Sequence, residues 1–160
     1  MLSRNGDAAV SAEQRALSSN LSGAICFLSF HAGDLGPASP HIAVFTFQPP
    51  GNAAPPGDAA PIAVFVPWAD VQQGHLSQSV QLAQALQQQF TAINGLQADL
   101  PVGAPVRTLR SINSPAVAIE LGRLAPDADV APLANPAFQQ QVAGAVVQAL
   151  AAFAKEGVNQ

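Results

Sequence analysis

The stretch that most constrains this chain is "SPAVAIELG", residues 114–122. Four consecutive apolar residues, Ala116 to Ile119, stand between a proline and a Glu-Leu-Gly ending, with no alternation. A strand with one wet face alternates polar and apolar side chains, whereas a run that is apolar throughout suits a strand buried on both faces. Pro115 to Leu121 therefore predicts a central strand. Such a strand needs neighbours at its sides and helices above and below it.

The rest of the chain supplies both. Ser11 with Gln14 three positions later has the spacing of a capping box and opens a helix expected to run to about Asn20. Ala24 to Phe30, Ile42 to Phe47 and Ile62 to Val66 are short Val-, Ile- and Phe-bearing runs bounded by Pro and Gly, which read as strands. Between the second and third lies a Pro/Gly/Ala loop from Gln48 to Pro61, read as an exposed insertion. From Leu76 the apolar period becomes helical, with Leu76, Val80, Ala83, Leu86, Phe90 and Ile93 on one face, glutamines on the other, and Gly95 just past the end. Asn135-Pro136 gives an N-cap followed by proline at the first helical position, and Phe138, Val142, Val146, Leu150 and Phe153 form a second apolar face. Strands interleaved with helices predict a three-layer α/β/α domain with a mostly parallel or mixed sheet over residues 1–160.

Bulk properties narrow the function. With 160 residues, 49% of them hydrophobic, one domain can bury a core of its own. A formal net charge of -4, with only six Lys and Arg, gives no basic footprint for nucleic acid or anionic lipid. No apolar stretch approaches the roughly 20 residues of a membrane-spanning helix. The single cysteine, Cys26, lies inside an apolar run and reads as a small buried hydrophobe. The first ten residues lack the apolar core of a signal peptide.

The chemistry gathers where two of these runs end. "ICFLSFHAG" finishes on His31 followed by Ala32-Gly33, and "SPAVAIELG" places Glu120 ahead of Gly122. In open α/β sheets, ligands bind beyond the carboxyl ends of the strands, where side chains leave the sheet and reach a shared cleft. An ionised carboxylate cannot stand unmatched in an apolar environment. His31 and Glu120 could thus face each other across a site, with the small residues leaving room for a ligand or a tight turn. From pattern alone, a turn role for His31 and a salt bridge from Glu120 to Arg123 or Arg110 stay open beside ligand and catalytic roles.

At these residues the sequence resembles the zinc-dependent N-acetylmuramoyl-L-alanine amidases that act on peptidoglycan. The family's strand "f-i-S-I-H-A-N" is met by Ser29, His31 and Ala32, and its upstream "T-R-x-x-D", Arg and "A-N" by Ser3-Arg4, Asp7, Arg15 and Ser19-Asn20. Its helix "S-x-x-L-A" corresponds to Ser79, Leu82 and Ala83, and its "P-a-v-L-v-E-x-G" to Pro115, Val117, Glu120 and Gly122, followed by Leu124. The closing pattern is met by Asp129, Leu133, Gln139 or Gln140, Val142, Ala143 and Val146. The resemblance implies a zinc cofactor, His31 as a zinc ligand and Glu120 as the carboxylate that activates metal-bound water. The implied substrate is peptidoglycan, cut between N-acetylmuramic acid and L-alanine. The implied location is the cell envelope, periplasmic or extracellular.

Departures from the family pattern shape the remaining expectations. The family's first zinc-binding His and its ligand Glu precede the "T-R-x-x-D" segment, and only three residues precede Arg4 here. The chain thus reads as an N-terminally truncated amidase-like domain lacking two of three ligands, expected to bind zinc weakly and turn over little peptidoglycan. The alternative is a catalytically inactive amidase-like domain that binds cell-wall glycan or a protein partner; a plain α/β domain with a structural His and Glu is the third reading. His41 and His75 read as surface or helix-start residues before substitute ligands, and Asp34 as a turn cap before a partner of His31. Gly33 stands where the family has Asn, and Arg123 where it has Phe.

Overall fold

The computed structural model describes residues 1–3, 6–33, 41–49, 67–124 and 131–157, without the side chains of Arg123 and Glu156. Its elements in chain order are α1 (Ala12–Leu21), β1 (Phe27–Gly33), β2 (His41–Phe47), a 3-10 helix (Trp68–His75), α2 (Leu76–Thr91), β3 (Gln97–Ala98), β4 (Val102–Ala104), β5 (Ala116–Arg123), α3 (Ala131–Ala134) and α4 (Pro136–Gly157). The expected strand Ile62–Val66, the loop beyond Pro49, and Arg4, Asp34 and Asp129 lie outside the described residues.

β5 occupies the centre of the sheet, as its unbroken apolar run requires. The strand order is β1-β5-β2-β3, with β4 also paired to β2. β1 runs parallel to β5 and β2 antiparallel to it, so the sheet is mixed. Successive residues of β5 point to opposite faces and meet two separate apolar layers. Val117 and Ile119 pack with Ile42, Val44 and the inner faces of α2 and α4. Ala116 and Ala118 pack with Phe27, Phe47, Leu109, Ile112 and Ala16 of α1. Helices on both sides of the sheet complete the three-layer α/β/α arrangement. Among the described residues no helix is long and apolar enough to cross a membrane.

The helix starts follow their local signals. Ser11 Oγ accepts from the Gln14 amide at 3.1 Å while Gln14 Oε1 accepts from the Ser11 amide at 2.9 Å, a complete capping box. Asn135 Oδ1 accepts from the Ala137 amide at 2.9 Å and so caps α4 ahead of Pro136. Gly95, at φ +77°, sits in the left-handed region just beyond α2.

Two expectations are corrected. β1 begins three residues later than Ala24 and continues through His31 to Gly33, because its ladder starts where Phe27 meets Ala116. Ile25 lies ahead of that point, outside the ladder, and is 72% exposed. On α2 the buried face is Ser79, Leu82, Ala83, Leu86 and Phe90, and Val80 faces out. Ser79 turns the helix: its hydroxyl is fully buried, donates to the His75 carbonyl at 2.8 Å and accepts from the Ala116 amide at 3.0 Å. It thereby ties the first turn of α2 to the first residue of β5.

Candidate active site at the end of the central strands

The parallel pairing of β1 with β5 sets the register of the site. His31 is the direct partner of Glu120, so an imidazole and a carboxylate stand side by side at the carboxyl ends of two neighbouring strands. Both continue the face that carries Phe27, Ala116 and Ala118 further back along the sheet. On the other side of β5, Glu120 is opposite Ala43 of β2. Small residues therefore flank the carboxylate.

Gly33 is the closest of them. A Cβ placed on it would overlap the Glu120 carboxylate oxygen, lie 2.9 Å from the carboxyl carbon and 3.3 Å from His31 Cε1. The Glu120 carboxylate and the His31 ring thus converge over a backbone with no side chain, and the glycine is what admits them. Gly122 has a different task. Between His31 and Gly33 the ladder advances two residues on β1 but three on β5, because Gly33 is the partner of Arg123. Gly122, at φ +74°, absorbs the extra residue as a β-bulge. The Leu124 amide then donates to the Gly33 carbonyl, which fixes the exit of β5 against β1.

Glu120 Oε1 is buried and has no hydrogen-bond partner among the described residues. A buried carboxylate oxygen without a donor is costly, and such orphans concentrate where a ligand or reactant supplies the missing contact. The salt bridge to Arg110 is not formed: Arg110 Nε donates instead to the Ala69 carbonyl at 3.1 Å. His31 is exposed.

The other two histidines have partners of their own. His41, expected near the surface, is 5% exposed, and its Nε2 lies 2.6 Å from Asp99 Oδ2 at the start of β2. That hydrogen bond holds the Asp99 carboxyl below its ordinary pKa. His75 stands at the start of α2 with Nε2 3.1 Å from Asn113 Oδ1. Cys26 is a free, half-buried thiol whose pKa is raised by burial, as suits an inert packing residue. Asn20, from the motif on α1, donates to the Ser111 carbonyl at 2.9 Å and accepts from the Asn113 amide at 2.8 Å, so it staples α1 to that loop. Arg15 reaches the Val10 carbonyl at 3.1 Å and Ser3 Oγ at 3.4 Å.

The donor set can be tested against the zinc that the resemblance implies. A catalytic zinc takes three protein ligands and keeps a fourth position open. Among the described residues no group of three or more His, Cys, Asp or Glu side chains comes together to hold a metal ion. His31 and Glu120 are two donors, and alone they do not make a zinc site.

The sequence profile of the family described as N-acetylmuramoyl-L-alanine amidase matches residues 1–152. Comparison with curated protein sequences finds no significant match. The fold is similar to the catalytic domain of the N-acetylmuramoyl-L-alanine amidase CwlV from Bacillus (Paenibacillus) polymyxa var. colistinus, at 20% identity and TM-score 0.71, covering 97% of this chain and 72% of that one. It is also similar to the N-acetylmuramyl-L-alanine amidase of Mycobacterium smegmatis, at 24% identity and TM-score 0.62, covering 94% of this chain and 64% of that one. A third similar structure is the amidase CwlD of Clostridioides difficile in complex with the GerS lipoprotein, at 15% identity and TM-score 0.66, covering 97% and 75% of the two chains.

Proposed function

The chain belongs to the N-acetylmuramoyl-L-alanine amidase family, a family of hydrolases, and from that premise we propose that Glu120 is its general base and His31 a metal-ligating imidazole. The bond cut is the amide between the lactyl group of N-acetylmuramic acid and L-alanine in peptidoglycan, which sets the place of action at the cell envelope. The observation that carries the reading is the buried Glu120 Oε1, unpartnered among the described residues, beside His31 at the carboxyl ends of β1 and β5.

The chemistry follows from what an amide resists. Water is a poor nucleophile, and the amine is a poor leaving group until it is protonated. A carboxylate at the cleft takes a proton from the attacking water as the C–O bond forms. It then returns the proton to the L-alanine nitrogen as the C–N bond breaks. The products are a lactyl carboxylate and a free L-alanine amino group. A positioned acid–base group of this kind contributes about 10²- to 10⁴-fold in rate. Burial of Oε1 without a donor leaves its lone pairs available for that proton.

His31 is assigned as one zinc ligand on the family resemblance. Zinc content after dialysis tests the assignment. We expect weak, substoichiometric zinc that disappears in His31→Ala. Zinc unaffected by that substitution would remove the imidazole from the ligand set. Incubation with purified peptidoglycan and mass analysis of released peptides tests the reaction; stem peptides with free L-alanine amino termini are the expected product.

A further inference from the structure

A second cleft of about 420 Å³ opens between the first turn of α1, the start of the 3-10 helix and the turn at residues 107–111. We propose that it is an anchoring subsite for the peptide-substituted muramic units of the polymer, a sugar whose attached peptide bears a carboxylate; this rests on the reading of the chain as a peptidoglycan amidase.

Three side chains carry the inference. Trp68, the only tryptophan of the chain, lines the cleft and is 49% exposed, although an indole is usually well buried. Arg107, at 82% exposure, and Arg110 line it too, so two of the six Lys and Arg of a chain with net charge -4 gather around one indole. Arg110 Nε is fixed on the Ala69 carbonyl, next in sequence to Trp68, and its terminal nitrogens have no partner among the described residues. An exposed indole offers a flat surface to the apolar face of a pyranose. A guanidinium fork matches a carboxylate in two parallel hydrogen bonds. A muramic unit with its stem peptide carries both features in one molecule.

The cleft also contains its own competitor. Glu13 Oε1 accepts from Arg107 Nη2 at 2.9 Å, an exposed pair that a ligand carboxylate would replace. The cleft lies on the α1 side of the sheet, since Ala16, which lines it, belongs to the same buried cluster as Ala116 of β5. Along β5, Ala116 and Glu120 are roughly 13 Å apart.

With no tyrosine and one tryptophan in the chain, intrinsic fluorescence reports on this cleft alone. Muramyl dipeptide titrated into the whole chain should change Trp68 emission saturably. Arg110→Gln should weaken that binding by about tenfold, the size of one lost charge-assisted hydrogen bond. The exposed Arg107→Gln should weaken it as well, and Glu13→Gln should tighten it. Neutral chitotriose should bind more weakly, for want of a carboxylate, and poly-glutamate more weakly, for want of a sugar face. An unchanged emission spectrum, or equal affinity for poly-glutamate, would overturn the proposal. Binding that survives in Glu120→Gln while hydrolysis is lost supports both readings. Hydrolysis without any emission change sinks the subsite alone, and binding in a chain that hydrolyses nothing sinks the amidase reading alone.

Discussion

Replacing Gly33 with alanine separates the site from the fold. Its φ is not in the left-handed region, so alanine meets no backbone strain there. A change of that kind leaves stability within about 1 kcal/mol and can raise it by limiting the unfolded chain. The new Cβ, however, would stand 2.9 Å from the Glu120 carboxyl carbon, where ordinary contact begins at 3.4 Å. The carboxylate, the far end of a flexible side chain, must recede by at least 0.5 Å (3.4 minus 2.9), and its nearer oxygen by more. A misplacement of about 1 Å costs about 10²-fold in rate, so Gly33→Ala should lower turnover roughly ten- to a hundredfold. Release of stem peptides from purified peptidoglycan, measured by mass spectrometry beside a thermal melt, checks this. Turnover equal to the parent chain at equal Tm would refute the reasoning, because Glu120 would not then need the place that Gly33 leaves for it.

Further outcomes follow from the framework around the site. Ser79→Ala leaves the buried Ala116 amide without its acceptor, so chemical denaturation should show a loss of about 1–3 kcal/mol with unchanged secondary structure. Asp99 has a folded pKa below its unfolded value of about 3.9, so its bond to His41 stabilises the chain above that pH and is lost as pH falls through the folded value. Stability measured from pH 6 downward should therefore fall less steeply in Asp99→Asn than in the parent. Glu13, drawn down to about 2 by its own backbone hydrogen bond and then by Arg107, is exposed, so Glu13→Gln should barely move Tm in 0.15 M salt.

Much of the fold is legible in local pattern. The unbroken run Ala116 to Ile119 requires burial on two faces, and β5 lies at the centre of the sheet with a layer on each side. The Ser11 and Asn135 caps depend only on residues within three positions, and both form as their spacing implies. The juxtaposition of His31 with Glu120 follows from two strand ends that lie in register. What pattern could not reveal depends on partners distant in sequence. Val80 fits the apolar stripe of α2, but the buried hydroxyl of Ser79 binds the start of β5 and turns Val80 outward. His41 looks like a strand-opening surface residue until β3 brings Asp99 to its ring. The antiparallel sense of β2 against β5 leaves no mark on the composition of either strand. Gly33 reads as turn or ligand room, and its use as the seat of the Glu120 carboxylate appears only when the bulge at Gly122 is formed. The subsite arginines and Trp68 are about 40 residues apart and give no local signal at all.

The most direct test of the account is the hydrolysis of purified peptidoglycan by the parent chain and by Glu120→Gln at matched folding. Glutamine keeps the size of the side chain and removes its capacity to take a proton. The account predicts that the parent frees L-alanine amino termini and that Glu120→Gln does so at least about 100-fold more slowly with Tm preserved. Equal rates in the two proteins would contradict it.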